Sequence, residues 1–222
     1  ERVKKLVEQN VDEDKILCVT FTEKATEEMQ NRLADMGNMD TKVSTFHAFC
    51  KEVCEDHLLE SGISTDSKLF KETSLQVWCM QNSDRFGIDT NVIEMGKDNA
   101  TLFKGIVQAI SNFKESLITS SEFQEWLDEK SDEISKMSGN ERISNAELIE
   151  YVKYHIEFNK VYAQYEKFQK DNNVYDFDDL IKKAIDLLKN NSLVLNSYTQ
   201  KYKYILVDEF QDNNFGQYEL VR

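Results

Sequence analysis

The 222-residue sequence predicts an α/β fold: strands of one parallel sheet near its two ends and a large all-helical insertion between them. Three observations lead there. The first sixty residues alternate helix, strand, helix, strand, helix, the pattern of parallel strands joined by crossover helices. From about residue 61 to residue 172 only helical periodicity remains. The strand code then returns once, in "YKYILVD", residues 202–208.

Each element has its own signal. "ERVKKLVEQN" places Val3, Leu6 and Val7 on one helical face, and "VDED" ends it. "KILCVTFT" reads as a buried strand, apolar at Ile16, Leu17, Cys18, Val19 and Phe21. In "EKATEEMQNRLADMG", Ala25, Met29, Leu33 and Met36 recur at helical spacing, and Gly37 stands where a helix closes. "KVSTF" is a second strand and "HAFCKEVCEDHLLE" a helix. In the middle, "SKLFKETSLQVWCMQ", "DNATLFKGIVQAISNFKESL", "SSEFQEWLDEK" and "NAELIEYVKYHIEFNKVYAQYEKFQK" read as helices, and "EKSDEISKMSGNERISN" as a mobile loop. The expected domain organisation is 1–60 and 173–222 as parts of one α/β domain, with 61–172 inserted.

Composition narrows the function. The chain is 40% hydrophobic, with 13 Phe and 9 Tyr, enough to build packed cores. There is no proline and only 7 glycines, which favours long helices over sharp turns. Four cysteines in a chain of this size are no disulfide scaffold, so a reducing, cytoplasmic setting is expected. No apolar run has membrane-spanning length, and the charged amino-terminal stretch lacks a secretory core. A net charge of -14 argues against a general polyanion binder and leaves room only for a narrow groove.

The chemistry concentrates where strands end. In "ILVDEFQD" an apolar run, Ile205 to Val207, stops at Asp208 and Glu209, with Gln211 and Asp212 following. Buried carboxylates are costly, so such a cluster belongs at an edge open to water or a metal. A strand ending in Asp-Glu is the Walker B pattern of nucleotide hydrolases: the Asp holds Mg²⁺ and the Glu polarises the attacking water. A plain strand end with a solvated acidic turn gives the same string.

Four segments occur in order: "ILCVTFTEKATEEMQNRL", "VSTFHAFCKEVC", "VYDFDDLI" and "YILVDEFQDNNFGQYELV". Together they closely resemble the UvrD/Rep/PcrA family of superfamily 1 DNA helicases, over roughly residues 1–60 and 170–222. The resemblance implies a partial RecA-like sheet in motor domain 1A, with the helical middle as subdomain 1B. It implies ATP and Mg²⁺ as cofactors of a full-length parent, and single-stranded DNA and its junctions with duplex as partners. Asp208 takes the metal role, Glu209 the water-activating role, and Gln211 senses the γ-phosphate. Phe21 stacks on a base while Thr20 and Thr22 contact backbone. Thr45, Phe46 and His47 form the second DNA-facing motif. Glu23 stands where the family usually has Asn, and Asn213 where it favours Thr.

Structural alternatives accompany these roles. Phe21 suits a core, Thr45 a helix cap beside a packed His47, and Asp178 or Asp179 a cap for the next helix. His47, Cys50, Cys54 and His57 are metal-ligand types, but their spacing lays them along one helical stripe of ~15 Å, too long for one tetrahedral site. A buried helix face is the expectation there. The aromatics Tyr151, Tyr154, Phe158, Tyr162, Tyr165 and Phe168 read as the core stripe of a long helix. The chain holds no G-x-x-x-x-G-K-[ST] phosphate loop, so it reads as an internal helicase fragment, inactive as an ATPase alone. A Mg²⁺-dependent nuclease built from "DEFQD" and "YDFDD", or a binding module that lost catalysis, are the competing readings.

Overall fold

The computed structural model describes residues 1–37, 40–89 and 99–222. The chain forms two compact units, one of Glu1–Thr65 with Phe177–Arg222 and one of Asp66–Asp176.

The first unit is built on a three-stranded sheet. Strand β1, Ile16–Thr20, is buried at every position. It pairs in parallel on one side with β2, Lys42–Thr45, and on the other with β5, Tyr204–Val207, giving the order β2-β1-β5. The three expected strands therefore do share one parallel sheet. The alternation of helices follows from that pairing, since parallel neighbours need crossovers. Helix α1 spans Arg2–Glu8 and α2 spans Glu23–Asp35. Val3, Leu6 and Val7 of α1 and Met29 and Leu33 of α2 pack with Ile16, Cys18, Val43 and Leu206 of the sheet. Gly37, at φ +81°, supplies the left-handed residue that follows α2.

Helix α3, Phe46–Asp56, ends one residue before His57, and a short α4, Leu58–Ser61, follows. The expected single helix is thus broken, and the left-handed Gly62 closes it. Helix α10, Phe177–Asn190, packs against α3 and α4, and also against α11, Ser192–Lys201, and α12, Phe215–Val221. Cys50 and Cys54 are buried on α3, with Cys54 Sγ 4.0 Å from the Leu180 carbonyl. Burial pushes the Cys54 thiol up to about 11 and the Cys50 thiol further, which disfavours the thiolate a metal needs. The two thiols are interior side chains, whereas His47 is half-buried and His57, also half-buried, lies past the end of α3.

The second unit departs from the expectation of an all-helical middle. "SKL" is not helical: Lys68–Leu69 form β3, which pairs in parallel with β4, Val174–Tyr175. Helices α5, Glu72–Asn82, α6, Asn99–Glu115, and α7, Ser120–Lys136, follow. The expected start of α6 at Asp98 lies outside the described residues. The expected mobile loop is also corrected. Helix α7 continues to Lys136, and α8, Gly139–Ser144, opens with a capping box between Ser138 and Glu141. Helix α9, Ala146–Asn172, is the long one, and its aromatic stripe is core only in part. Phe158, Tyr162 and Tyr165 are buried among Phe103, Ile106, Ile110 and Leu127, whereas Tyr151 and Tyr154 are 50% and 39% exposed.

A buried charge pins the end of this unit. Lys114 Nζ of α6 lies 2.7 Å from Asp176 Oδ2 and 2.9 Å from Gln169 Oε1 of α9. The Tyr165 hydroxyl donates to the same Asp176 oxygen at 2.9 Å. Breaking such a pair strands one charge without its partner. Lys114→Met is expected to destabilise the protein by about 3 kcal/mol, read as a fall in the urea midpoint followed by tryptophan emission. Trp78 and Trp126 both lie in this unit and report on it.

Candidate nucleotide and nucleic-acid site

All three strands of the main sheet run the same way, so their carboxyl ends meet along one edge. Thr20, the last residue of β1, is in register with Thr45, the last of β2, and Val19 with Val207, the last of β5. Asp208 extends the ladder by one bond, its N–H donating to the Val19 carbonyl at 2.9 Å. The first residues past the strands are therefore Phe21 and Thr22, Phe46 and His47, and Asp208 and Glu209. Segments far apart in sequence share one edge, where open α/β sheets take ligands.

On the β5 side, Asp208, Glu209 and Gln211 are exposed. Glu209 adopts a left-handed backbone, φ 48° and ψ 47°, uncommon for a residue with a Cβ. The Gln211 side-chain amide donates to the Glu209 carboxylate, and Asp212 N–H closes the turn on the Glu209 carbonyl at 2.9 Å. Asn214 and Gln217 then form a capping box that starts α12. Burial, with the nearby Asp208 charge adding to it, pushes the Cys18 thiol up to about 11. A cleft of about 760 Å³ opens beside these residues, lined also by Arg2, Arg32, Met29 and Leu206. Exposed carboxylates are the hard oxygen donors that magnesium takes, and the two arginines bring positive charge suited to phosphate. The residues present fit a magnesium–nucleotide ligand.

Strand β5 is less buried than its sequence suggests. Tyr204 and Ile205 are each 41% exposed.

On the β1 and β2 side, the two threonines after or at the strand ends cap helices. Thr22 Oγ1 accepts from Ala25 N–H and Thr45 Oγ1 from Ala48 N–H, both at 3.1 Å. The amino-terminal ends of α2 and α3 thus lie at this edge, where helix dipoles favour anions. Phe21 is 49% exposed, which sets aside the core alternative for it. Two expected contact residues are corrected. Thr20 is fully buried, and its hydroxyl bonds to the Thr22 carbonyl and Thr26 Oγ1. Phe46 is buried as well, a core side chain at the start of α3. Both support the edge and neither faces solvent.

His47 is half-buried, and its ring meets Phe177 edge-on, centroids 5.7 Å apart. Phe177 is 48% exposed. One aromatic inside "DFDDL" has no periodicity to mark its side, so its exposure is not legible in the sequence. Arg2 and Arg32 were equally silent. Asp176 of the same segment is ion-paired with Lys114 inside the second unit. Among the described residues no group of three or more His, Cys, Asp or Glu is placed to hold a metal ion by itself, and no helix is long and apolar enough to cross a membrane.

A parallel sheet flanked by helices, with carboxylates at one strand end and exposed aromatics at another, defines an open α/β domain. The chain belongs to the family described as the UvrD/REP helicase N-terminal domain, whose model matches residues 1–222. It is 30% identical over 212 residues to the ATP-dependent DNA helicase Rep of Escherichia coli, covering 93% of this chain and 27% of that protein. It is 29% identical over 222 residues to the ATP-dependent DNA helicase PcrA of Bacillus subtilis, covering 98% of this chain and 26% of the relative. A probable DNA helicase II homolog of Mycoplasma capricolum is 31% identical over 217 residues, with 96% and 26% covered. The chain thus spans about a quarter of the length of the curated relatives it matches.

Burial holds the His47 imidazole below its ordinary range, favouring the neutral form. The stabilising contribution is therefore complete above the unfolded value near 6.5 and is lost as pH falls from there through the folded value. His47→Gln is expected to lose less melting temperature than the unaltered protein between about pH 7 and pH 5, with thermal melts across that range as the measurement.

Proposed function

We propose that this chain is part of an ATP-dependent DNA helicase that translocates 3′ to 5′ on single-stranded DNA. The observation that carries the reading is the shared strand edge. The Asp208–Glu209–Gln211 turn and the Phe21, Thr45 and His47 segments follow adjacent parallel strands, so a nucleotide site and a DNA site share one rigid support. In this reading the unit built on the main sheet belongs to motor domain 1A, and the unit from Asp66 to Asp176 is subdomain 1B. The phosphate-binding loop and a second motor domain then belong to other parts of a longer polypeptide, in keeping with the share of the relatives that the chain spans. The setting is the cytoplasm, and single-strand/duplex junctions are the natural substrate.

The residues divide the work. Asp208 holds the magnesium site, with Glu209 beside it as the base that takes a proton from the attacking water. Gln211, bonded to the Glu209 carboxylate, holds that base in place, and its assigned role is to sense the γ-phosphate. Magnesium, when bound, neutralises charge on the transferring phosphoryl oxygens. On the DNA side, Phe21 and Phe177 offer exposed faces to bases, and stacking is tolerant of sequence. Thr22 and Thr45 accept from their capping N–H groups through oxygen, leaving their hydroxyl protons for phosphate. Neutral His47 has one ring N–H to donate. A net charge of -14 keeps other surfaces unattractive to a polyanion.

The 222-residue chain alone is expected to hydrolyse ATP negligibly, because it has no phosphate loop; DNA-stimulated turnover at helicase rates in the purified chain would refute this. In a longer helicase carrying the chain, Glu209→Gln is expected to abolish turnover and keep nucleotide binding, checked by steady-state ATPase and a fluorescent-nucleotide titration.

Phe21→Ala in that helicase is expected to cost ~1–3 kcal/mol of single-strand affinity with an unchanged thermal melt. Fluorescence anisotropy with oligo-dT measures it. Equal affinity of two equally folded proteins would remove Phe21 from the site.

A further inference from the structure

Helices α7 and α9 pack against each other, and their contact leaves one aromatic face uncovered. Trp126 of α7 meets Tyr151 of α9 edge-on at 6.4 Å. Tyr151 lies over His155, centroids 3.8 Å apart, and Tyr154 flanks the same imidazole at 5.3 Å. Tyr151 and Tyr154 are 50% and 39% exposed although the rest of the α9 stripe is core. The inner edge of the group is anchored, since Phe123 stacks on Trp126 and meets His155.

Carboxylates stand beside the exposed rings in a regular way. Glu147 is one helical turn before Tyr151, and Glu150 is one turn before Tyr154; both are exposed. Residues four apart are neighbours on a helix surface, so each of these carboxylates shares a face with its ring. Glu129 is exposed three residues after Trp126. Helix α7 as a whole carries six carboxylates and two lysines. An electron-rich ring face with a carboxylate at its rim is what an ammonium or guanidinium group requires: cation–π attraction from the ring and a charge-assisted hydrogen bond from the acid. The same face repels nucleic acid.

We infer that the α7/α9 face is a docking surface for a lysine- or arginine-rich polypeptide segment of a partner protein. Cationic side chains lie on Tyr151 and Tyr154, with Glu147, Glu150 and Glu129 as their counter-charges. The aromatic faces give the surface its selectivity over the diffuse negative charge elsewhere on the chain. The assignment is independent of the helicase reading, because it uses no residue of the strand edge.

The test is a titration of the 222-residue chain with decalysine and with deca-arginine at low and at physiological salt, followed by tryptophan emission. Trp126 is part of the face, and Trp78 sits apart among Phe86, Tyr165 and Phe168. Saturable quenching is expected, weakened about fivefold by Tyr151→Ala and by Glu147→Gln with Glu150→Gln. Glu27→Gln with Glu28→Gln, on α2 of the other unit, removes the same charge and is expected to change binding less than about twofold, a ratio small beside a specific contact. Circular dichroism melts establish that each variant is folded, and Tyr151→Phe, which keeps the ring, is expected to retain binding. Equal losses in the α2 and α9 charge variants, or unchanged binding in Tyr151→Ala, would reduce the interaction to diffuse attraction and overturn the assignment. Tighter binding of oligo-dT than of decalysine to this face would overturn it as well.

Discussion

Parallel pairing of β1 with both of its neighbours is the constraint on which the first unit rests. A parallel pair cannot be joined by a tight turn, so each strand is followed by a helix that returns the chain across the sheet. That requirement sets the alternation of the first sixty residues and buries β1 completely. It also brings the carboxyl ends of three strands together, although residue 207 is far along the chain from residue 20. The edge so formed is rigid because its last backbone bond, Asp208 N–H to Val19 carbonyl, belongs to the ladder itself.

The residues just past each strand meet two demands at once. Thr22 and Thr45 must satisfy the free N–H groups of a helix start and still face the edge; a hydroxyl meets both, since it accepts and donates. Thr20 and Phe46, their sequence neighbours, turn into the interior and hold the helices to the sheet. Glu209 meets a different demand. Its left-handed backbone costs on the order of 1–3 kcal/mol, and the turn through Asp212 together with the Gln211 amide holds it there. Strain of this kind persists where the surrounding bonds over-determine it, and here it sits in the turn that carries the carboxylates.

The second unit is organised by a different principle. Aromatic side chains of α5, α6, α7 and α9 fill one core, and a buried ion pair, Lys114 with Asp176, anchors the point where the chain leaves it. Charge and aromatic surface segregate along α9. Phe158, Tyr162 and Tyr165 of its carboxyl-terminal half lie in the core, while Tyr151 and Tyr154 of its amino-terminal half are half exposed, so identical residue types are core in one place and surface in another.

Elements whose signals are local were legible in the order of the amino acids. Strand β1 declares itself by an apolar run, β2 by a short stretch ending in a helix-capping threonine, α2 by its spacing and Gly37, and α9 by aromatics recurring every three or four residues. The strand end at Asp208-Glu209 was legible for the same reason, because a run of apolar residues meeting carboxylates marks an edge. Other features depend on long-range packing. Two-residue strands β3 and β4 are too short to show a period, and each exists only because its partner lies more than a hundred residues away. The continuation of α7 through "EKSDEISK" rests on Ile134 reaching the second core, which no local count of polar residues reveals. The exposure of Ile205 depends on what covers that face of β5, and strand order is not written in any one strand. Phe21, Phe46 and Phe177 are the same side chain after or near a strand end. Which of them faces water depends on the neighbouring helices, because burial is a property of the space around a residue rather than of the residue.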